Sequence, residues 1–281
     1  MDSLVSTDWL AGELGAADLR LLDATGFLPG AGRDARAEFE AGHIPGAVRF
    51  DLEEVSDPAS ALPHTWPPAH VFASRMRALG IGDHDRIVVY DNSPLHTSAR
   101  AWWLLRSFGA RQVAILDGGL AKWTAEGRTL ESGAPAPRPG HFTAQPVAEA
   151  VLDKAQLLSL VGRDSHVIAD ARGADRFTGV AGEPRPGLAA GHIPGSRSLP
   201  QSDFFRADNS FKQGAALRAA FDAAGVDLSK PLVTTCGSGV TACVILFGAH
   251  RLGKTDLQLY DGSWSEWGAD PETPKATGAA G

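Results

Sequence analysis

The chain has only two cysteines, Cys236 and Cys243, among 281 residues, so no disulfide framework can hold its fold. No apolar run nears the ~18 residues of a membrane-crossing helix, which sets aside an integral membrane protein. The opening, MDSLVSTDWLAGEL, lacks a basic segment followed by an apolar stretch, and a cytoplasmic location is expected. Basic charge is also scarce. With 26 Lys and Arg against 33 Asp and Glu, the net charge is -7, and nucleic acid finds no cationic stripe. The 9 histidines form no paired metal spacing with cysteine, so no zinc site is expected. What is present is an ordinary globular composition, 43% hydrophobic and 21% charged, in a chain long enough for two domains.

The chain repeats itself. His43-Ile44-Pro45-Gly46-Ala47 returns as His192-Ile193-Pro194-Gly195-Ser196, each preceded by an Ala-Gly pair. Asp117-Gly118-Gly119, with Trp123 four residues on, returns 144 residues later as Asp261-Gly262-Ser263 with Trp267. Gly109 and Gly253 keep the same offset. Several matches in one order at nearly one spacing indicate two copies of one fold. Between them runs Glu131-Ser132-Gly133-Ala134-Pro135-Ala136-Pro137-Arg138-Pro139-Gly140, rich in Pro, Ala and Gly and without apolar period. We therefore expect domains at 1–135 and 148–281 joined by a linker at 136–147, with a loosely held tail from Asp270.

Within each copy, short β-branched runs alternate with amphipathic ones. Arg86–Tyr90 and 231–235 read as buried strands, followed by helical runs at 97–108 and 240–252 with Gly109 and Gly253 just past their ends. Further strands follow at Gln112–Leu116 and 256–260. This order predicts an α/β fold, a mainly parallel sheet flanked by helices in each copy, with ligands at the carboxyl ends of the strands.

One such loop carries the sequence Cys236-Gly237-Ser238-Gly239-Val240-Thr241-Ala242. Glycines beside a cysteine at a strand end let the backbone curl so that its N–H groups face inward, a nest for an anion. A helix starting at about Val240 aims its positive end at the sulfur, and both features favour a thiolate nucleophile. A buried structural cysteine is the usual alternative for a lone Cys. The strand-end position and adjacent glycines argue against it here.

This loop, the two His-Ile-Pro-Gly copies and the closing Gly262-Ser263-Trp264-Ser265-Glu266-Trp267 resemble the rhodanese-type sulfurtransferases, nearest their 3-mercaptopyruvate-using members. The resemblance covers nearly the whole chain. It implies two tandem rhodanese-like domains of which only the second carries the cysteine. At an offset of 144 from Cys236 the first copy has Asn92, so it should be inactive. Thiosulfate-using members carry cationic side chains after the cysteine, whereas Gly237 and Ser238 are neutral. Phosphatases and arsenate reductases of this fold use a Cys-x5-Arg loop, and here that position is Ala242, without a guanidinium for an oxyanion.

A substrate with a carboxylate and a ketone needs fixed cations. Arg176 and Arg185 stand nine residues apart, the spacing at which family members hold both groups. Spacing alone reads equally well as two solvated loop arginines. The resemblance further implies a first-copy histidine and acid, His64 and Glu53, acting with Ser238 on the substrate's thiol proton. Asp51 is a second acid close to Glu53. Gly237, Gly239, Val240 and Thr241 would cradle the sulfur.

Gly248-Ala249-His250-Arg251-Leu252-Gly253-Lys254-Thr255 fits the pattern G-x4-G-K-[ST], but it ends a helix and precedes a strand, the reverse of the phosphate-cradling context. Cys243 reads as a core thiol, His43 and His192 as braces of their turns, and Trp102, Trp103, Trp264 and Trp267 as core or interface. The expected enzyme moves sulfur from 3-mercaptopyruvate through a Cys236 persulfide to thioredoxin, a small thiol or cyanide, releasing pyruvate, with no metal or organic cofactor. Its rivals are thiosulfate:cyanide transfer by the same cysteine and a non-catalytic module that senses persulfide or oxidant.

Overall fold

The computed structural model describes residues 1–135, 137 and 139–279; positions 136 and 138 of the expected linker, and 280 and 281 of the expected tail, lie outside the described residues. Two compact units emerge. The first comprises Met1–Pro58, Trp66–Val147 and Arg206–Phe211; the second comprises Ala59–Thr65, Ala148–Phe205 and Lys212–Gly281. Each unit therefore includes a short segment from the other's stretch of sequence.

The first unit runs β1 (Leu4–Val5), α1 (Thr7–Glu13), β2 (Leu19–Asp23), α2 (Ala35–Ala41), β3 (Ala47–Arg49) and α3 (Leu52–Val55). It continues with α4 (Ala69–Ala78), β4 (Arg86–Tyr90), α5 (Ser98–Ser107), β5 (Gln112–Leu116) and α6 (Gly119–Ala125). Its sheet has five parallel strands in the order β1-β5-β4-β2-β3. The central strand β4 is Arg-Ile-Val-Val-Tyr with every residue after Arg86 buried, the near-continuous apolar run that a strand covered on both faces requires. Leu21, Val88, Tyr90, Ala114 and Leu116 pack from the sheet against Leu10, Phe39 and Trp123.

The second unit repeats the order with β6 (Val151–Leu152), α7 (Lys154–Leu160), β7 (Val167–Asp170), α8 (Ala174–Thr178) and β8 (Arg197–Ser198). Then come α9 (Gly214–Ala223), β9 (Leu232–Thr235), α10 (Ala242–Arg251), β10 (Leu257–Tyr260) and α11 (Ser263–Trp267). The strand order β6-β10-β9-β7-β8, again all parallel, is that of the first sheet. Two tandem domains of one fold, each a five-stranded parallel sheet with flanking helices, follow from the pairing itself.

The two His-Ile-Pro-Gly turns are braced alike. His43 Nδ1 lies 2.7 Å from Phe39 O and its ring stacks on Phe39; His192 Nδ1 lies 2.8 Å from Phe177 O and stacks on Phe177. Both imidazoles are buried. The tail from Asp270, expected to be loose, is instead tied down. His192 and Ala276 exchange backbone hydrogen bonds, and Pro274 O accepts from the Trp267 indole at 2.8 Å. A buried indole N–H needs an acceptor, and the tail supplies it. Among the described residues, no helix is long and apolar enough to cross a membrane.

Candidate active site

Cys236 follows the last residue of β9 and is 1% exposed. Its loop climbs to α10, whose first helical residue is Ala242, two residues later than the sequence suggests. Gly239 sits at φ 74°, a conformation that costs glycine nothing and other residues a clash. Among the described residues, nothing in the protein accepts a hydrogen bond from the N–H groups of Gly237, Ser238, Val240, Thr241 or Ala242. Buried, unpaired backbone N–H groups are rare, and a run of them at a helix start is an anion-binding arrangement.

The first copy shows what such a loop does when an anion is supplied. Strand pairing aligns Val89 with Ile115 and Thr234 with Leu259, whereas Leu116 and Tyr260 hold the same place beside β1 and β6. The register therefore sets Asp91, and not Asn92, opposite Cys236. The backbone agrees, since Leu120 N–H donates to Asp91 O at 3.0 Å as Trp264 N–H donates to Cys236 O at 2.9 Å. The first copy's loop is one residue longer before α5, which is why a constant offset of 144 misses the correspondence. Asp91 Oδ1 accepts from Ser93 N–H at 3.0 Å and Oδ2 from Ser98 N–H at 2.7 Å. The equivalent donors in the second copy are Ser238 and Ala242.

Two arginines were expected beside the cysteine. Arg176, in α8, lies against Gly237: a Cβ on Gly237 would stand 3.1 Å from Arg176 Nη2. The glycine thus leaves room for the guanidinium, a reason for its presence that the sequence does not show. Arg176 donates through Nη2 and Nε to the carboxylate of Glu183, which is nearly buried. Glu183 also accepts from Arg172 Nη1 at 2.7 Å, and Arg172 in turn donates to Asp170 Oδ2 at 2.7 Å and to Gly191 O at 2.8 Å. Arg172 also covers the Trp264 ring at 4.3 Å. Burial works against the Arg172 charge, but the carboxylates of Asp170 and Glu183 outweigh it and raise its pKa above the ordinary arginine value. The four charges alternate in sign and balance. Arg185, half-buried, makes no hydrogen bond or ion pair among the described residues, so its charge is the one not already matched.

His64 belongs to the second unit and is brought to the loop. Its Nδ1 lies 3.0 Å from Ser238 Oγ, a hydrogen bond in which the imidazole tautomer sets the donor. Its backbone is left-handed, φ 60°, unusual for a residue with a Cβ. Glu53 belongs to the first unit, exposed in the first turn of α3, where Asp51 Oδ1 accepts its N–H at 3.0 Å. Asp51 is also paired with Arg49 at 2.7 Å. Val240 is buried and Thr241 half-buried at the top of the loop. Cys243 is buried and donates to Gly239 O at 3.3 Å. Among the described residues no three His, Cys, Asp or Glu gather where a metal could sit.

Sequence reasoning missed Asp170, Arg172 and Glu183 as a supporting network. A signal existed: Asp170-Ala171-Arg172 closes β7 as Asp23-Ala24-Thr25 closes β2, and in both the Asp Oδ1 accepts the N–H two residues on. It used the closing segment only as a family mark and missed its contacts with the cysteine loop, where Ser263 Oγ accepts from Cys236 N–H at 3.2 Å and Ser265 donates to Gly237 O through N–H at 2.9 Å and Oγ at 2.7 Å.

Comparison with known proteins identifies the family. The rhodanese-like domain family matches residues 6–126 and 153–270. The chain is 38% identical to the thiosulfate/3-mercaptopyruvate sulfurtransferase 1, mitochondrial, of Arabidopsis thaliana, over 97% of this chain and 78% of that one. It is 42% identical to the 3-mercaptopyruvate sulfurtransferase of Homo sapiens, over 94% and 91%. The crystal structure of SseA from Escherichia coli, described as a 3-mercaptopyruvate sulfotransferase, superposes with a TM-score of 0.86 at 39% identity, covering 94% of this chain and 99% of that one.

Proposed function

The chain belongs to the rhodanese-like sulfurtransferases and is an enzyme of the 3-mercaptopyruvate sulfurtransferase type; from that premise we propose that it takes sulfur from 3-mercaptopyruvate onto Cys236 and passes it to a thiol or cyanide. One observation carries the reading. Among the described residues, the N–H groups of Gly237, Ser238, Val240, Thr241 and Ala242 in the Cys236 loop have no partner, while in the first copy the Asp91 carboxylate accepts from the equivalent loop. An anionic sulfur on Cys236 is the group that would complete it.

The steps follow from the side chains. Arg185 binds the substrate carboxylate, and Arg176, held by Glu183, faces the keto oxygen, so that the substrate sulfur lies over Cys236. The Cys236 thiolate attacks that sulfur, the carbon–sulfur bond breaks, and its electron pair leaves on carbon as the enolate of pyruvate, stabilised by the arginines. The substrate's thiol proton passes through Ser238 Oγ and His64 and returns to the enolate carbon, giving pyruvate and a Cys236 persulfide anion. The N–H groups of residues 237–242 hold the charge. An acceptor thiol, such as that of thioredoxin, then removes the outer sulfur and restores the thiolate, a ping-pong cycle. We place this activity in the cytoplasm.

The test is the intact mass of the protein after incubation with mercaptopyruvate or with thiosulfate, beside Cys236→Ser. A gain of one sulfur, about 32 Da, from mercaptopyruvate on the wild type alone is expected of a nucleophilic cysteine. Preferential loading by thiosulfate would reassign the donor. No loading by either, on folded and reduced protein, would leave the binding-module reading.

A further inference from the structure

We propose that Ser263 is a positioning residue for Cys236, its hydroxyl fixing the backbone from which the thiolate projects. The assignment rests on the reading of Cys236 as the sulfur-accepting nucleophile.

The hydroxyl is fully buried and sits at a crossing of two strand ends. It donates to Tyr260 O at 2.9 Å, accepts from Cys236 N–H at 3.2 Å, and receives Thr235 Oγ1 at 3.4 Å. It is thus the side-chain link between the end of β10 and the start of the cysteine loop. Cys236 N–H is buried, and without the hydroxyl it would lose its partner.

The backbone at this position argues against serine on conformational grounds. Ser263 has φ 49°, left-handed territory that disfavours any residue with a Cβ. The first copy has the residue that the conformation calls for: Gly119, at φ 57°, in the same register and followed by the same N–H to loop carbonyl bond. There a Cβ would come within 2.4 Å of Asp91 O. The second copy carries a Cβ at this place and still keeps the Trp264 N–H to Cys236 O bond, at 2.9 Å. The copy that carries the cysteine accepts a strained residue where the other copy does not. What the strained residue adds is the hydroxyl on Cys236 N–H. Holding that N–H fixes the Cα–Cβ direction of Cys236, and attack on a sulfur held by two arginines depends on that alignment.

Two substitutions in the full-length chain separate the roles. Ser263→Gly removes hydroxyl and strain together, and Ser263→Ala removes the hydroxyl and keeps the strain. Each is assayed for thermal midpoint, for sulfur gain at Cys236, and for kcat and KM with mercaptopyruvate. The expected result is a midpoint equal to or above wild type for the glycine variant and below it for the alanine variant. In both, kcat falls by about tenfold while KM stays within twofold, because the arginines are untouched. A glycine variant with wild-type kcat, or kcat values that follow the thermal midpoints, would overturn the assignment. A wild type that takes sulfur from neither mercaptopyruvate nor thiosulfate would overturn the nucleophile reading, and this one with it.

Discussion

Asp91 holds in the first sheet the register that Cys236 holds in the second, each one residue beyond the central strand and each giving its carbonyl to the same backbone N–H. The duplicated fold has thus resolved one electrostatic requirement in two ways. Where the chain supplies a carboxylate, two of the loop's N–H groups are satisfied by it; where it supplies a thiol, the equivalent N–H groups have no partner among the described residues, and the proposed persulfide would fill the place. The loss of activity expected of the first copy is a filled nest as much as a missing sulfur.

Asp91→Ala should therefore be costly to stability and neutral for catalysis. Two hydrogen bonds to a buried carboxylate are lost, each contributing on the order of 1.5 kcal/mol or more. Denaturant unfolding should show the first unit weakened by about 2–4 kcal/mol, with sulfur loading of Cys236 by the folded protein within twofold of wild type. Unchanged unfolding would mean that the two N–H groups do not depend on the carboxylate.

Among the described residues Arg185 has no partner, so on the proposed reading changing it should touch the substrate and little else. Arg185→Lys keeps the charge and loses the planar fork. KM for mercaptopyruvate should rise about tenfold, the scale of one charge-assisted hydrogen bond, at an unchanged thermal midpoint. Wild-type KM in this variant would remove Arg185 from the substrate site.

Glu183 should behave differently, because its nearly buried carboxylate bridges Arg172 and Arg176. Glu183→Gln breaks a buried ion-pair chain by removing one member, which typically costs about 3–5 kcal/mol. Both the thermal midpoint and the affinity for mercaptopyruvate should fall together. A variant of normal stability and normal KM would show that Arg176 holds its place against Gly237 unaided.

His64 adopts φ 60°, which asparagine tolerates better than most residues, so His64→Asn spares the backbone while removing the imidazole. Loss of a positioned proton carrier should lower kcat by about 100-fold with little change in thermal midpoint. Rates within a few-fold of wild type would exclude the Ser238–His64 pair from proton transfer.

Acid stability should carry the mark of Glu126. Hydrogen bonds from Lys122, Thr7 and Arg128 lower its pKa from 4.5 to about 2. The unfolded chain therefore takes up this proton first, so the contribution is present above about pH 4.5 and is lost as pH falls toward 2. Glu126→Gln should flatten the thermal midpoint against pH across that window, most visibly at low salt. An unchanged acid limb would assign the loss to other carboxylates.

Much of this was legible in the chain. Arg86–Tyr90, Gln112–Leu116 and Leu232–Thr235 are strands where a short apolar run leaves no other compact choice, and the repeat announces two copies of one sheet. The cysteine loop was legible for a similar reason, since glycines beside a strand-end cysteine have local conformational consequences. Pairs distant in sequence were not. His64 and Ser238 are 174 residues apart, and the tail that seemed loose is held by His192 and by the indole of Trp267. The equivalence of Asp91 and Cys236 was hidden by one extra residue, which a sheet absorbs in a loop but a fixed offset does not. Periodicity and turn chemistry act between neighbours, so the sequence by itself determined the elements, their order and the candidate nucleophile. Which charges balance, which N–H groups stay unpaired and which strained serine faces the cysteine were decided only when burial brought distant residues into one low-dielectric site.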